Sequence, residues 1–67
     1  MMKGEDMKIF AKIGTTAQCV VTVPNYKTLE VGKKIKYKEK RYTKYETAII
    51  REIKDMDDYD LYYLEKF

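Results

Sequence analysis

One cysteine and no histidine in 67 residues leave this chain without the staples that small domains often rely on. Cys19 has no partner for an intramolecular disulfide, and there is no imidazole to build a zinc site. A domain of this length buries only about 60% of the surface its unfolded chain exposes, and such a core rarely supplies more than about 3–5 kcal/mol. The chain must therefore hold itself by apolar packing, alone or reinforced by self-association. Its 45% hydrophobic and 13% aromatic residues are material enough for a compact core and set it apart from disordered sequences.

Apolar residues recur mainly with the period of strands. From Met7 to Gly14, the residues Met7, Ile9, Ala11 and Ile13 fall on one side and Lys8, Phe10 and Lys12 on the other, as in a strand with one buried face. Gly14 to Ala17 reads as a turn. "QCVVTV" (18–23) is β-branched and apolar on both sides, and Pro24 closes it because proline cannot donate to a ladder. These two strands make a hairpin. After a connector over 25–31 and the punctuating Gly32, a third strand sends Ile35 and Tyr37 inward and Lys34, Lys36 and Lys38 outward. Glu39-Lys40 marks its reversal.

Tyr42 to Met56 supports two predictions. As a helix, Tyr42, Tyr45, Ile49, Ile50, Ile53 and Met56 form one apolar stripe, and Thr43 to Glu46 matches a capping box. As a strand, the segment is rich in β-branched and aromatic residues and has strands before and after it at short spacing. The context favours a long, bent or bulged strand, with one short helix within 44–56 as the alternative. "KDMDDYD" is a turn by composition. The last strand, in "YDLYYLEKF", is apolar on both sides, with Tyr59, Leu61 and Tyr63 against Tyr62 and Leu64, and so should be central or covered by a neighbour.

The pattern "LEVGKKIKYKEKRYTKY" followed by "DYDLYYLEKF" resembles the small SH3-like barrels. A glycine-led strand meets a hairpin, a long strand follows, and a short strand ends the chain. The likeness implies a mainly β fold: one five-stranded SH3-like barrel, or a strongly bent antiparallel sheet. "EK" stands where the hairpin tip would carry glycine, and no aromatic signature for proline-rich peptides is present, so nothing about function follows from it. Residues 1–6 are expected to be a flexible extension ahead of a single domain over 7–67.

Several functional classes can be set aside. The commonest general base is missing, and Cys19 lies among apolar residues that raise a thiol's pKa, so the chain is expected to be no enzyme and to need no cofactor. Asp55, Asp57, Asp58 and Asp60 invite a calcium loop. Counting from Asp55, however, Tyr59, Asp60 and Lys66 occupy ligand, glycine and glutamate positions of an EF-hand. No apolar run is long enough to cross a bilayer. "MMKGEDMKIF" carries acidic residues where a signal peptide would be hydrophobic. With a lone thiol, this points to the cytoplasm.

Binding remains. Residues 27–45 carry a net charge of +6 and residues 46–67 a net −4, a division that can present two faces to two partners. Tyr59, Tyr62 and Tyr63, bordered by Asp57 and Asp58, form a candidate protein contact, since tyrosine is enriched at interface hot spots. A polyanion such as single-stranded nucleic acid or a nucleotide has a different candidate in 33–45. Lys34, Lys36, Lys38 and Lys40 recur every second residue, which spaces them about 6.5–7 Å apart along one strand face. Arg41 and Lys44 add charge there, and Tyr42 and Tyr45 could stack bases. The same lysines also guard an exposed strand against edge-to-edge pairing. In size and in its lysine-, isoleucine- and tyrosine-heavy composition the chain resembles accessory proteins of viruses that infect bacteria with AT-rich genomes, many of which dock on and block a host protein. The expectation is accordingly a module that binds and inhibits or adapts another protein, with polyanion binding as the alternative and homo-oligomerisation left open.

Overall fold

A computed structural model describes residues 6–24, 26–40 and 42–67. The strands are β1 (Met7–Ile13), β2 (Cys19–Val23), β3 (Lys34–Glu39), β4 (Glu46–Asp55) and β5 (Asp60–Lys66). They close into a barrel in chain order. Each strand runs antiparallel to the one before it. Successive strands of such a meander reverse direction, so the first and fifth run the same way and the seam that closes the ring is parallel. A single mainly β barrel is thus the fold. The suggested flexible extension lies, for residues 1–5, outside the described residues.

Period-two alternation fills the interior. Ile9, Ala11 and Ile13 from β1 meet Val21 and Val23, Ile35 and Tyr37, Ala48 and Ile50, and Leu64 in one buried cluster. Met7, Cys19, Tyr26, Leu29, Ile53 and Tyr62 pack against it. Each large aliphatic side chain buried this way contributes about 1.5–3 kcal/mol.

Within Tyr42–Met56 the strand forms over Glu46–Asp55, residues 42–45 belong to the loop before it, and the short helix within 44–56 does not form. In β4 the register passes from Ile50↔Leu64 to Glu52↔Tyr63, leaving Arg51 as the extra residue of a β-bulge. The bulge shifts the alternation by one residue. Ala48, Ile50 and Ile53 therefore all reach the core, which reproduces the three-residue spacing of a helical stripe inside a strand. Hydrogen-bonded neighbours on both edges, β3 and β5, satisfy the backbone that a helix would have satisfied internally.

The turns follow residue chemistry. Thr16 N–H donates to the Ile13 carbonyl (3.1 Å), closing a turn whose second residue, Gly14, has φ 62°, a value glycine adopts without steric cost. Lys33 N–H donates to the Glu30 carbonyl (3.1 Å) around Gly32 at φ 94°, as a type II turn requires at its third position. The β4–β5 hairpin turns at Asp57, a non-glycine residue at φ 79°. The Asp55 carboxylate accepts its N–H (2.9 Å), an Asx turn that holds the backbone two residues on.

One seam is short. β2 and β3 pair only through Val21↔Glu39 and Thr22↔Lys38. Past that point the Tyr26 hydroxyl accepts the Lys36 N–H at 2.9 Å, so a side chain replaces the missing strand. Among the described residues no helix is long and apolar enough to cross a membrane.

Candidate binding face

The register that fills the core also lays outward residues in rows across neighbouring strands. One row runs Lys8, Thr22 and Lys38 over β1, β2 and β3. The next runs Leu61, Phe10 and Val20 over β5, β1 and β2. A third sets Tyr63 against Lys12. Phe10 and Val20 are 37% and 42% exposed, large apolar side chains on the solvent side of a small barrel.

Tyr59 extends this apolar centre. Its ring packs on Phe10 with centroids 4.4 Å apart and planes tilted by 45°. Its hydroxyl accepts a hydrogen bond from Gln18 Nε2 at 3.1 Å. Leu61, opposite Phe10, is only 3% exposed yet lies outside the core cluster, so the outer surface of β1 and β5 carries a small apolar cluster of its own. Around it stand cations. Lys8 and Lys40 line a depression with Val20 and Thr22, Lys38 ends the first row, and the Lys12 ammonium sits 5.8 Å from the Tyr63 ring centroid.

The tyrosine candidates divide between two sides of the sheet. Tyr59 and Tyr63 face outward with Phe10 and Lys12. Tyr62 packs against the core, and burial, with Asp60 as a smaller cause, pushes its hydroxyl pKa up. Asp57 and Asp58 are exposed at the β4–β5 hairpin tip.

The basic candidates divide too. Lys34, Lys36 and Lys38 alternate with buried Ile35 and Tyr37 and point outward. Lys34 lies 4.3 Å from the Phe67 ring centroid and Lys38 lies 5.4 Å from that of Tyr45. Lys40 belongs to the depression beside Val20. Tyr42 is 54% exposed in the loop after β3, where its N–H bonds to the Glu39 carbonyl (3.0 Å). Lys44 is exposed in the same loop. The Tyr45 hydroxyl donates to the Asp6 carboxylate at 2.9 Å, which raises the tyrosine's pKa. Arg41 lies outside the described residues.

Halves of the two candidate sites thus flank one apolar centre. Tyr59 and Tyr63 stand toward its β5 side, Lys38 and Lys40 toward its β3 side, and Phe10 and Val20 between them. Those two central residues were not among the candidates from sequence. The available signal was Phe10 occupying the outward phase of β1 between Lys8 and Lys12.

The Cys19 thiol is half-buried. Burial, and then Glu39, push its pKa up, which keeps it protonated near neutrality. Comparisons with family models, curated proteins and solved structures return no match, so the fold class rests on the ring of strands and the site on its own geometry.

Proposed function

We propose that this chain is a non-enzymatic binding module of the cytoplasm that docks on another protein and blocks or modulates it. The contact is the outer surface of β1 and β2 with the adjoining start of β5. One observation carries this: the cross-strand pair Phe10–Val20, extended by Tyr59, forms an exposed apolar strip bordered by Lys8, Lys12 and Lys40. An apolar centre with a polar rim is the anatomy of protein–protein interfaces, and rigid aromatic anchors are where their energy concentrates. The cationic rim favours a partner whose own apolar patch has an acidic border.

A photo-crosslinking side chain at position 20, compared with one at position 44, tests this in extracts of the source cell. Adducts to one heterologous protein from position 20 alone, abolished by Phe10→Ala and retained at high salt, are expected. Equal labelling from both positions would sink the docking reading.

A second reading has its own support in the outward row Lys34, Lys36 and Lys38. It takes single-stranded nucleic acid or a nucleotide along 33–45. Such binding must weaken linearly in log salt. A salt titration with a labelled oligonucleotide, beside a variant with these three lysines changed to glutamate, separates the two. Tight binding at physiological salt that the variant loses would promote the polyanion.

A further inference from the structure

Lys8, Val20, Thr22 and Lys40 enclose a depression of about 270 Å³ beside the apolar strip. The register sets Lys8 across from Thr22. Lys40 follows the last residue of β3, where the chain turns back with the Tyr42 N–H on the Glu39 carbonyl. A backbone donor opens beside it. The Lys33 carbonyl accepts the Ile50 N–H at 3.0 Å, so along β3 Ile35 and Tyr37 bond to β4 and Lys38 turns its backbone to Thr22. The alternation then gives Val21 to β1 and directs Val20 toward β3, which has already ended. The Val20 N–H carries no hydrogen bond among the described residues. Two ammonium groups, a hydroxyl and an amide N–H thus stand around one small depression, and among the described residues no carboxylate lines it.

We infer that this depression is a phosphate-recognition subsite of the docking face, taking a phosphoserine or phosphothreonine in an extended apolar segment of the partner protein. Its size sets one limit. Sites that enclose whole small molecules run to roughly 300–1,000 Å³, so this one has room for a single anionic side chain and not for a nucleotide. The donors choose between anions. They come from β1, from β2 and from the end of β3, and among the described residues they include no guanidinium fork to match a planar carboxylate. Lysine binds phosphate as a point charge. A phosphomonoester brings three acceptor oxygens and a charge of about −1.5 to −2, enough to engage both ammonium groups, where a carboxylate brings a single charge. Phe10 and Val20, exposed beside the depression, favour a phosphate carried on an apolar peptide. The phosphates of a nucleic acid have their candidate row elsewhere, in Lys34, Lys36 and Lys38 of β3. The inference rests on the docking reading and adds its regulation: the partner is bound once a phosphoryl group has been added to it.

Amide NMR spectra of the full chain, titrated with three synthetic peptides, test it. The peptides carry leucines on both sides of a central phosphoserine, glutamate or serine. The phosphoserine peptide is expected to shift the Lys8, Val20 and Thr22 amides and to bind at least about tenfold more tightly than the glutamate peptide. The serine peptide should cause no shift at the same concentrations. Lys8→Gln with Lys40→Gln should remove the preference for phosphate while the spectrum keeps its dispersion, and Lys34→Gln with Lys36→Gln should leave it intact. A glutamate peptide that binds as tightly overturns the phosphate subsite. So does a phosphoserine peptide that leaves the Val20 amide unmoved, or one whose binding is lost only in the β3 variant. The docking reading is judged separately. A heterologous crosslink from position 20 that survives phosphatase treatment of the extract keeps the docking and removes the phosphate, whereas the absence of any such crosslink before treatment removes the docking itself.

Discussion

Tyr37 is the residue that departs most from ordinary core chemistry. Its side chain is fully buried, and among the described residues its hydroxyl has no hydrogen-bond partner. Burial first, then Glu46, Glu39 and Cys19, push its pKa up to about 12. An unsatisfied buried polar group costs about 1–3 kcal/mol, so Tyr37→Phe should stabilise the barrel by about 1 kcal/mol. The melting temperature would rise by about 4–8 °C for a domain of this size. The pH dependence has a definite sign. The unfolded chain ionises this phenol near its ordinary value of about 10, the folded chain only near 12. Stability is therefore whole below pH 10 and falls as pH rises toward 12, by about 3 kcal/mol in total. Urea titrations of wild type and Tyr37→Phe at pH 8 and pH 11 should show the wild type losing more. Equal losses would mean that the phenol finds a partner or solvent.

At the scale of elements, the seam between β2 and β3 is the thinnest in the ring, with its two residue pairs and the Tyr26 hydroxyl continuing it. Tyr26→Phe removes the acceptor of the Lys36 amide while keeping the ring against the core. The expected cost is about 1 kcal/mol, and the Lys36 amide should exchange with solvent at least about tenfold faster while amides of the β4–β5 ladder change less. Uniform acceleration throughout the barrel would instead mean that the seam opens only with the whole fold. The inward residues of β1 and β3 were legible in the sequence because each strand alternates cleanly. Gly14, Gly32 and Pro24 marked its breaks for conformational reasons that act locally. β4 was ambiguous because the Arg51 bulge shifts its alternation, and a bulge depends on the partner strand. The binding face was only half legible for a similar reason. Phe10 and Val20 become neighbours through pairing of β1 with β2, and Tyr59 joins them through the return of β5 to β1, whereas Lys34, Lys36 and Lys38 share a side by strand periodicity alone.

At the scale of the whole molecule, five strands wound in order around one core make every strand a neighbour of two others. No strand of the ring is therefore an unpaired edge, which matters in a chain whose single cysteine can form no internal disulfide. The two charged stretches of the sequence become neighbours in the ring, since the basic third strand pairs directly with β4, the first arm of the acidic hairpin. The parallel closure has a mechanical consequence. Because β1 and β5 run the same way, β1 begins and β5 finishes at opposite ends of the barrel. Tension between Asp6 and Phe67 drags the two strands past each other, so the bonds of that ladder share the load in shear. Tension between Glu46 and Lys66 peels the β4–β5 hairpin one bond at a time. A single-molecule pull should record a higher rupture force along the first axis than along the second, making this small barrel stiff as a link in a chain and soft as a clasp.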